Sequence, residues 1–186
     1  PQAEPVKREP PKPFTLPPKN DNMRRVYAYL LNRRGIDREV LSAFVHKGMI
    51  YESADYHNAV FVGYDEHGIA RHAHKRGTGS ESTYKGNAES CDPRYSFHWT
   101  GTDNILYLFE APIDMMSFLT LYPKDWQKHS CIAMNGVYEN AVLTALKNHS
   151  NLSEIILCVD NDEGGIEAVD PVSYTHLRAH ETEADL

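Results

Sequence analysis

The chain has 186 residues, long enough for one ordinary domain or two small ones. Hydrophobic residues make up 41% and charged residues 24%, the mixture of a soluble globular protein, and the net charge is −7. No apolar run approaches the roughly 20 residues that a membrane helix needs, and no apolar signal core opens the sequence. The three cysteines, Cys91, Cys131 and Cys158, form no CxxC pair. A disulfide framework and a structural zinc site are therefore not expected, and the composition reads as that of a cytoplasmic protein with no membrane partner.

The acidity is uneven. Residues 1–39 carry nine basic and five acidic side chains, net +4; residues 40–100 carry six and seven, net −1; residues 101–186 carry four and fourteen, net −10. An acidic C-terminal half is either a solvated surface or a set of carboxylates that hold divalent cations. Net charge does not mark a general nucleic-acid binder, so any such contact must come from a local basic patch.

Seven of the eleven prolines fall within residues 1–22, which predicts an extended, poorly ordered linker. Met23, Val26, Tyr27, Leu30 and Leu31 fall at helical spacing, and Gly35 ends that helix. Asp37 is a plausible N-cap for a second helix, which Gly48 closes. Two short helices could form a helix-turn-helix, but the second has little Arg, Asn or Gln to read bases. Packing helices of a small α+β domain are the better reading. Residues 57–64 and 69–75, joined by the turn Asp65-Glu66-His67-Gly68, predict a β-hairpin. Residues 95–99 predict one further short strand.

From residue 104 the pattern changes. Apolar strands at 105–109, 131–134 and 155–159 alternate with helices at 113–121, 140–146 and 163–169, which predicts a parallel sheet with helical crossovers. Two of these strands end in carboxylates: Glu110, followed by Asp114, and Asp160, followed by Asp162. Strand ends on one edge of such a sheet form the ligand crevice. Carboxylates gathered there repel each other unless a hard cation such as Mg²⁺ neutralises them. Without a cation, Asp160 and Asp162 are turn and N-cap residues and Glu110 is a loop carboxylate.

Phe109-Glu110-Ala-Pro-Ile-Asp114 and Val159-Asp160-Asn-Asp162-Glu-Gly-Gly165, with Asn135-Gly136 between them, resemble the motifs of the Toprim domain shared by bacterial primases, topoisomerases and related nucleases. Ala111 stands where primases usually have Gly. Residues 58–77, Tyr84-Lys85-Gly86-Asn87 and residues 95–99 are similar to the region that precedes Toprim in primases. Residues 23–170 more closely resemble an uncharacterised domain fused to Toprim in proteins of mobile elements and plasmids. The resemblance implies an α/β fold: a linker at 1–22, a small α+β domain of two helices and a hairpin at 23–102, and a Toprim domain at 103–170, truncated at its C-terminus. It also implies an Mg²⁺- or Mn²⁺-dependent phosphoryl-transfer site. Asp160 and Asp162 would hold the metal, Glu110 would act as general acid/base or share the metal, and Asp114 would support it. Arg71, Lys75, Arg76 and Lys85 would contact template or nucleotide phosphate. A zinc role for His72 and His74 lacks partners at useful spacing.

Residues 172–182 resemble a translated sequencing adapter, so the tail 171–186 is expected to be non-native and without function. The expected protein makes or processes nucleic acid in replication or transfer of a mobile element. Its partners would be single-stranded DNA or nucleotides, together with replication or conjugation proteins. The competing expectations are a non-catalytic DNA- or nucleotide-binding accessory and a Toprim nuclease.

Overall fold

The computed structural model describes residues 12–136 and 138–159. Two four-stranded sheets carry the chain. The first is antiparallel in the order β1 (Ile50–Glu52), β2 (Ala59–Tyr64), β3 (Ala70–Arg76) and β4 (Lys85–Asn87). The second is ordered β5 (His98–Trp99), β7 (Ser130–Ala133), β6 (Ile105–Phe109) and β8 (Glu154–Cys158). The expected parallel strands β6, β7 and β8 are present, with α3 (Pro112–Leu121) and α4 (Tyr138–Asn148) between them. The sheet is mixed, however, because β5 pairs antiparallel with β7. The strand expected at 95–99 is a short 3₁₀ turn, Pro93–Tyr95, followed by β5.

The helices follow local chemistry. α1 (Arg24–Tyr27) widens into a π-helical turn over Ala28–Arg33. Gly35 closes it at φ 67°, a left-handed conformation that costs glycine nothing. The Asp37 carboxylate caps α2 (Arg38–His46), accepting from the amides of Glu39 at 2.8 Å and Val40 at 3.2 Å. Thr120 of α3 binds this junction by accepting from the Asp37 amide at 3.0 Å.

Residues 12–22 differ from the disordered linker expected of them. The Tyr51 hydroxyl donates to the Pro17 carbonyl at 2.7 Å, the Ala54 amide donates to the Pro18 carbonyl at 2.7 Å, and the Asn20 amide donates to the Glu52 carbonyl at 2.8 Å. Phe14 packs on the outer face of the first sheet, against Tyr51, Val60, Val62 and Ala73. Proline lacks a donor but keeps its carbonyl, so an edge-strand neighbour can still hold it. The fully buried Glu52 carboxylate then starts α1 by accepting from the Arg25 and Val26 amides at 3.0 and 3.2 Å, and it pairs with His57 at 2.6 Å.

One hydrophobic core spans both sheets. Phe44 of α2 lies at its centre, with ring centroids 5.1 Å from Phe97, 5.2 Å from Trp99 and 5.7 Å from Trp126. Phe61 of β2 packs on Phe97 at 5.3 Å, and Met115, Met116 and Leu119 of α3 join the same cluster. Gly63 lets the backbone at Tyr95 and Ser96 press against β2; a Cβ there would lie 1.8 Å from the Tyr95 carbonyl oxygen.

His72 is fully buried in β3, and neither ring nitrogen has a hydrogen-bond partner among the described residues. Burial, reinforced by nearby His74, lowers its pKa from 6.5 to about 4. Burial also lowers His98, whose Nδ1 hydrogen-bonds the Ser96 carbonyl at 2.8 Å.

Two predictions follow from this core. The protein should unfold in a single transition, because both sheets share one core, and Phe44→Ala should cost about 3–5 kcal/mol; denaturant melts followed by tryptophan fluorescence and by circular dichroism check it, and separated transitions in the unsubstituted protein would refute it. Between pH 6.5 and about 4 the unfolded chain binds a proton that folded His72 refuses, so stability is full above that window and falls as the pH drops through it. His72→Leu should shrink the difference in urea midpoint between pH 7 and pH 5, and an undiminished difference would show that His72 does not carry the effect.

Candidate active site

Strand β6 ends at Phe109, and the half-buried Glu110 follows on the turn into α3. Ala111 is extended at φ −137°, ψ 160°, so this turn does not require the glycine usual in primases. Pro112 opens α3, and Asp114 lies exposed in its first turn, where the helix dipole favours a carboxylate. The loop after β7 is strapped to the same edge: the Met134 amide donates to the Phe109 carbonyl at 2.8 Å, and the Asn135 amide to the Glu110 carbonyl at 3.0 Å. Asn135 and Gly136 both take positive φ, 51° and 80°. The Asn135 side-chain oxygen is buried with no partner among the described residues.

Glu110, Asp114, Asn135 and Gly136 form one wall of a cleft of about 480 Å³. The first sheet supplies the other wall. Phe61, His74 and Asn87 pair across β2, β3 and β4 as one row, and Arg76 pairs with Lys85 two residues along. Strand periodicity puts His74, Arg76, Lys85 and Asn87 on the same face, toward the carboxylates. Arg34 completes this wall. The buried Tyr29 hydroxyl accepts from Nε of Arg34 at 3.0 Å and of Arg76 at 3.4 Å, so one phenol orients two guanidinium groups of the cleft. Tyr29 lies in the π-helical turn, a distortion common at functional sites. Burial lowers the pKa of His74, Arg76 and Lys85 add to the effect, and the hydrogen bond to Asn87 opposes it.

The basic residues of β3 are thus divided. Arg76 and Lys85 face the cleft. Arg71 and Lys75 lie on the opposite face of the strand, as alternation dictates. Arg71 pairs with Asp65 at 2.7 Å, and Lys75 lines a separate groove. Asp160 and Asp162 lie outside the described residues, as does the tail from 171. Strand β8 pairs with β6 in parallel, Cys158 beside Phe109, which brings the chain to the edge that carries Glu110. Sequence reading did not single out Arg34, Tyr29, His74 or Asn87 for the site. The period-two alternation of β3 was the available signal for His74, whereas the Tyr29 bridge depends on a helix irregularity that no periodicity announces.

Among the described residues no three His, Cys, Asp or Glu side chains gather as a metal-binding group. Two carboxylates and an unpartnered amide oxygen on one wall are nevertheless hard oxygen donors, which fit a divalent cation such as Mg²⁺ rather than a soft metal.

Residues 28–103 match the family described as a protein of unknown function, DUF3991, and residues 107–182 match the Toprim-like family. An uncharacterised protein of Bacillus anthracis plasmid pXO2, pXO2-78, is 29% identical over 153 residues; the match covers 76% of this chain and 44% of that relative. The primase fragment of the bacteriophage T7 primase-helicase superposes with a TM-score of 0.57 at 19% identity, over 76% of this chain and 58% of that one. The Escherichia coli primase catalytic core superposes at 0.51 and 16% identity, over 79% and 58%. A structure of T7 lagging-strand DNA polymerase with primase domains bound to an RNA/DNA hybrid and dTTP superposes at 0.58 and 19% identity, over 77% and 71%. The chain thus spans under half of the plasmid relative and under two thirds of the two primase cores. It is a DUF3991 domain followed by a Toprim-like domain, with the fold of primase catalytic cores.

Proposed function

We propose that this chain forms the catalytic core of a primase-like protein that joins nucleotides on a nucleic-acid strand during replication or transfer of a mobile element. The observation that carries this reading is the cleft itself: Glu110 and Asp114 face Arg34, Arg76 and Lys85 across about 480 Å³. A cleft with carboxylates on one wall and cations on the other suits a reacting phosphate. The T7 primase domains of similar fold, bound to an RNA/DNA hybrid and dTTP, support nucleotides and nucleic acid as ligands. The plasmid-borne relative supports the mobile-element setting, with replication or conjugation proteins as partners. No helix among the described residues is long and apolar enough to cross a membrane. This reading assigns the protein to the reducing cytoplasm, where disulfides are rare.

Asp160 and Asp162 would hold the Mg²⁺ or Mn²⁺ ion, with Glu110 beside it. When bound, such an ion neutralises charge on the phosphate and favours the ionised attacking hydroxyl. The chain's own groups do the rest. Arg34 and Arg76 hold phosphate oxygens in the planar two-point geometry of guanidinium, oriented by Tyr29, and Lys85 adds a point charge. The Glu110 carboxylate takes the proton of the 3′-hydroxyl as it attacks the α-phosphate of a nucleoside triphosphate, and the bond from that phosphorus to the leaving pyrophosphate breaks. Asp114 supports Glu110 from the first turn of α3.

Calorimetric titration with Mn²⁺ and a dinucleotide-synthesis assay test this reading. Asp160→Asn/Asp162→Asn should abolish metal binding. Glu110→Gln should keep metal binding and slow synthesis by about 10²–10⁴-fold, the usual contribution of a general base. Metal binding that survives the double substitution would contradict the assignment.

A further inference from the structure

The face of the first sheet turned away from the cleft carries a second concavity, a groove of about 580 Å³. Two tyrosines line it, Tyr56 and Tyr84, and both are solvent-exposed, Tyr56 at 88% and Tyr84 at 45%. Tyr56 is almost wholly exposed, and it sits at φ 59°, a conformation unfavourable for a bulky residue. Its position on the tip of the β1–β2 turn therefore has no explanation in core packing.

The groove is built rather than incidental. The Thr78 hydroxyl donates to the His57 carbonyl at 2.8 Å, which ties the loop bearing Tyr84 to the turn bearing Tyr56. The Arg33 guanidinium clamps that loop by donating to the carbonyls of Gly79 at 2.8 Å and Ser80 at 2.7 Å. Between the walls lie Lys75 and Arg25, and Lys75 Nζ rests 5.7 Å from the Tyr84 ring centroid. Among the described residues of the lining Asp55 is the one acidic group, against these two cations.

Exposed aromatic faces beside cations are the elements with which proteins hold unpaired bases and their phosphates. We propose that this groove binds single-stranded nucleic acid, with bases stacked on Tyr56 and Tyr84 and phosphates at Lys75 and Arg25. Where the cleft holds the same nucleic acid, as the proposed function has it, the two faces of β3 serve one strand. Arg76 and Lys85 meet it in the cleft, and Lys75 meets it behind, one residue away and on the opposite side of the sheet. A protein and a proline-rich peptide are less well matched, because the lining pairs its aromatic rings with phosphate-binding cations. The groove can bind whether or not the cleft is catalytic, so the two readings stand or fall separately.

Fluorescence anisotropy with oligothymidylates of about 20 and about 5 nucleotides, spanning the site sizes typical of such grooves, tests the proposal. Tyr56→Ala and Tyr84→Ala, both surface changes, should each weaken binding of the longer oligonucleotide by about 5- to 150-fold, the usual cost of losing one stacked base. With 4-thiothymidine in the oligonucleotide, photo-crosslinks should map by mass spectrometry to the peptides bearing Tyr56 or Tyr84. The Arg76→Gln/Lys85→Gln variant should keep those crosslinks. Wild-type affinity in both tyrosine variants, or crosslinks confined to the cleft, would overturn the groove and leave the cleft reading intact. Absence of oligonucleotide binding by the wild type, or tyrosine-dependent binding of a proline-rich peptide alone, would overturn it as well.

Discussion

The ring of Phe44 is the contact on which the geometry of this chain depends. It belongs to the first domain by sequence, yet it packs against Trp126 of the second and against Phe97 and Trp99 at the junction. Two domains linked by a flexible segment would present their surfaces at varying separations. Two domains that share a core cannot, because close-packed interiors resist deformation. The separation of the cleft's walls is thus held by the core that both sheets share, to which the cleft residue Phe61 belongs. Carboxylates on one sheet edge and cations on the other sheet remain at a fixed separation, which is what a site acting through preorganised charge requires.

Strand β3 extends this economy of construction. Its alternation sends His74 and Arg76 to the cleft and Arg71 and Lys75 to the opposite face. Neighbouring cations therefore work in different places. Arg71 has a structural duty, holding Asp65 at the hairpin turn, whose carboxylate also accepts from the His67 and Ile69 amides. The consecutive arginines at the end of the first helix divide in the same way: Arg33 clamps the 77–84 loop, and Arg34 reaches the cleft. The charge of this small region is placed residue by residue, and net charge alone conceals it.

Much of the fold was legible from local pattern. The Asp37 cap, the hairpin with its Asp65–Gly68 turn, and strands β6, β7 and β8 came from caps, turn residues and apolar runs, and these features are set within a few residues of chain. What was not legible depends on distant partners. Strand β5 is two residues long and exists only because β7 lies beside it. The order of residues 12–22 depends on carbonyl acceptors meeting the edge of β1, which proline content does not disclose. Of the site, Glu110 and Asp114 were marked by their place after a buried strand, and Arg76 and Lys85 by their charge. Arg34 was missed because its role follows from Tyr29 and from a π-helical turn that shifts the helix register.

In the proposed function the edge bearing Glu110 holds a divalent ion facing the cationic wall. Paramagnetic broadening of backbone amide resonances by substoichiometric Mn²⁺ locates such an ion directly. Strong broadening is expected at Asp160, Asp162 and Glu110 and at their neighbours Asp114 and Asn135, weaker broadening across the cleft at Arg76 and Lys85, and none at Arg71 on the far face. Broadening centred on other acidic residues, such as Asp125, or no selective broadening at all, would contradict it.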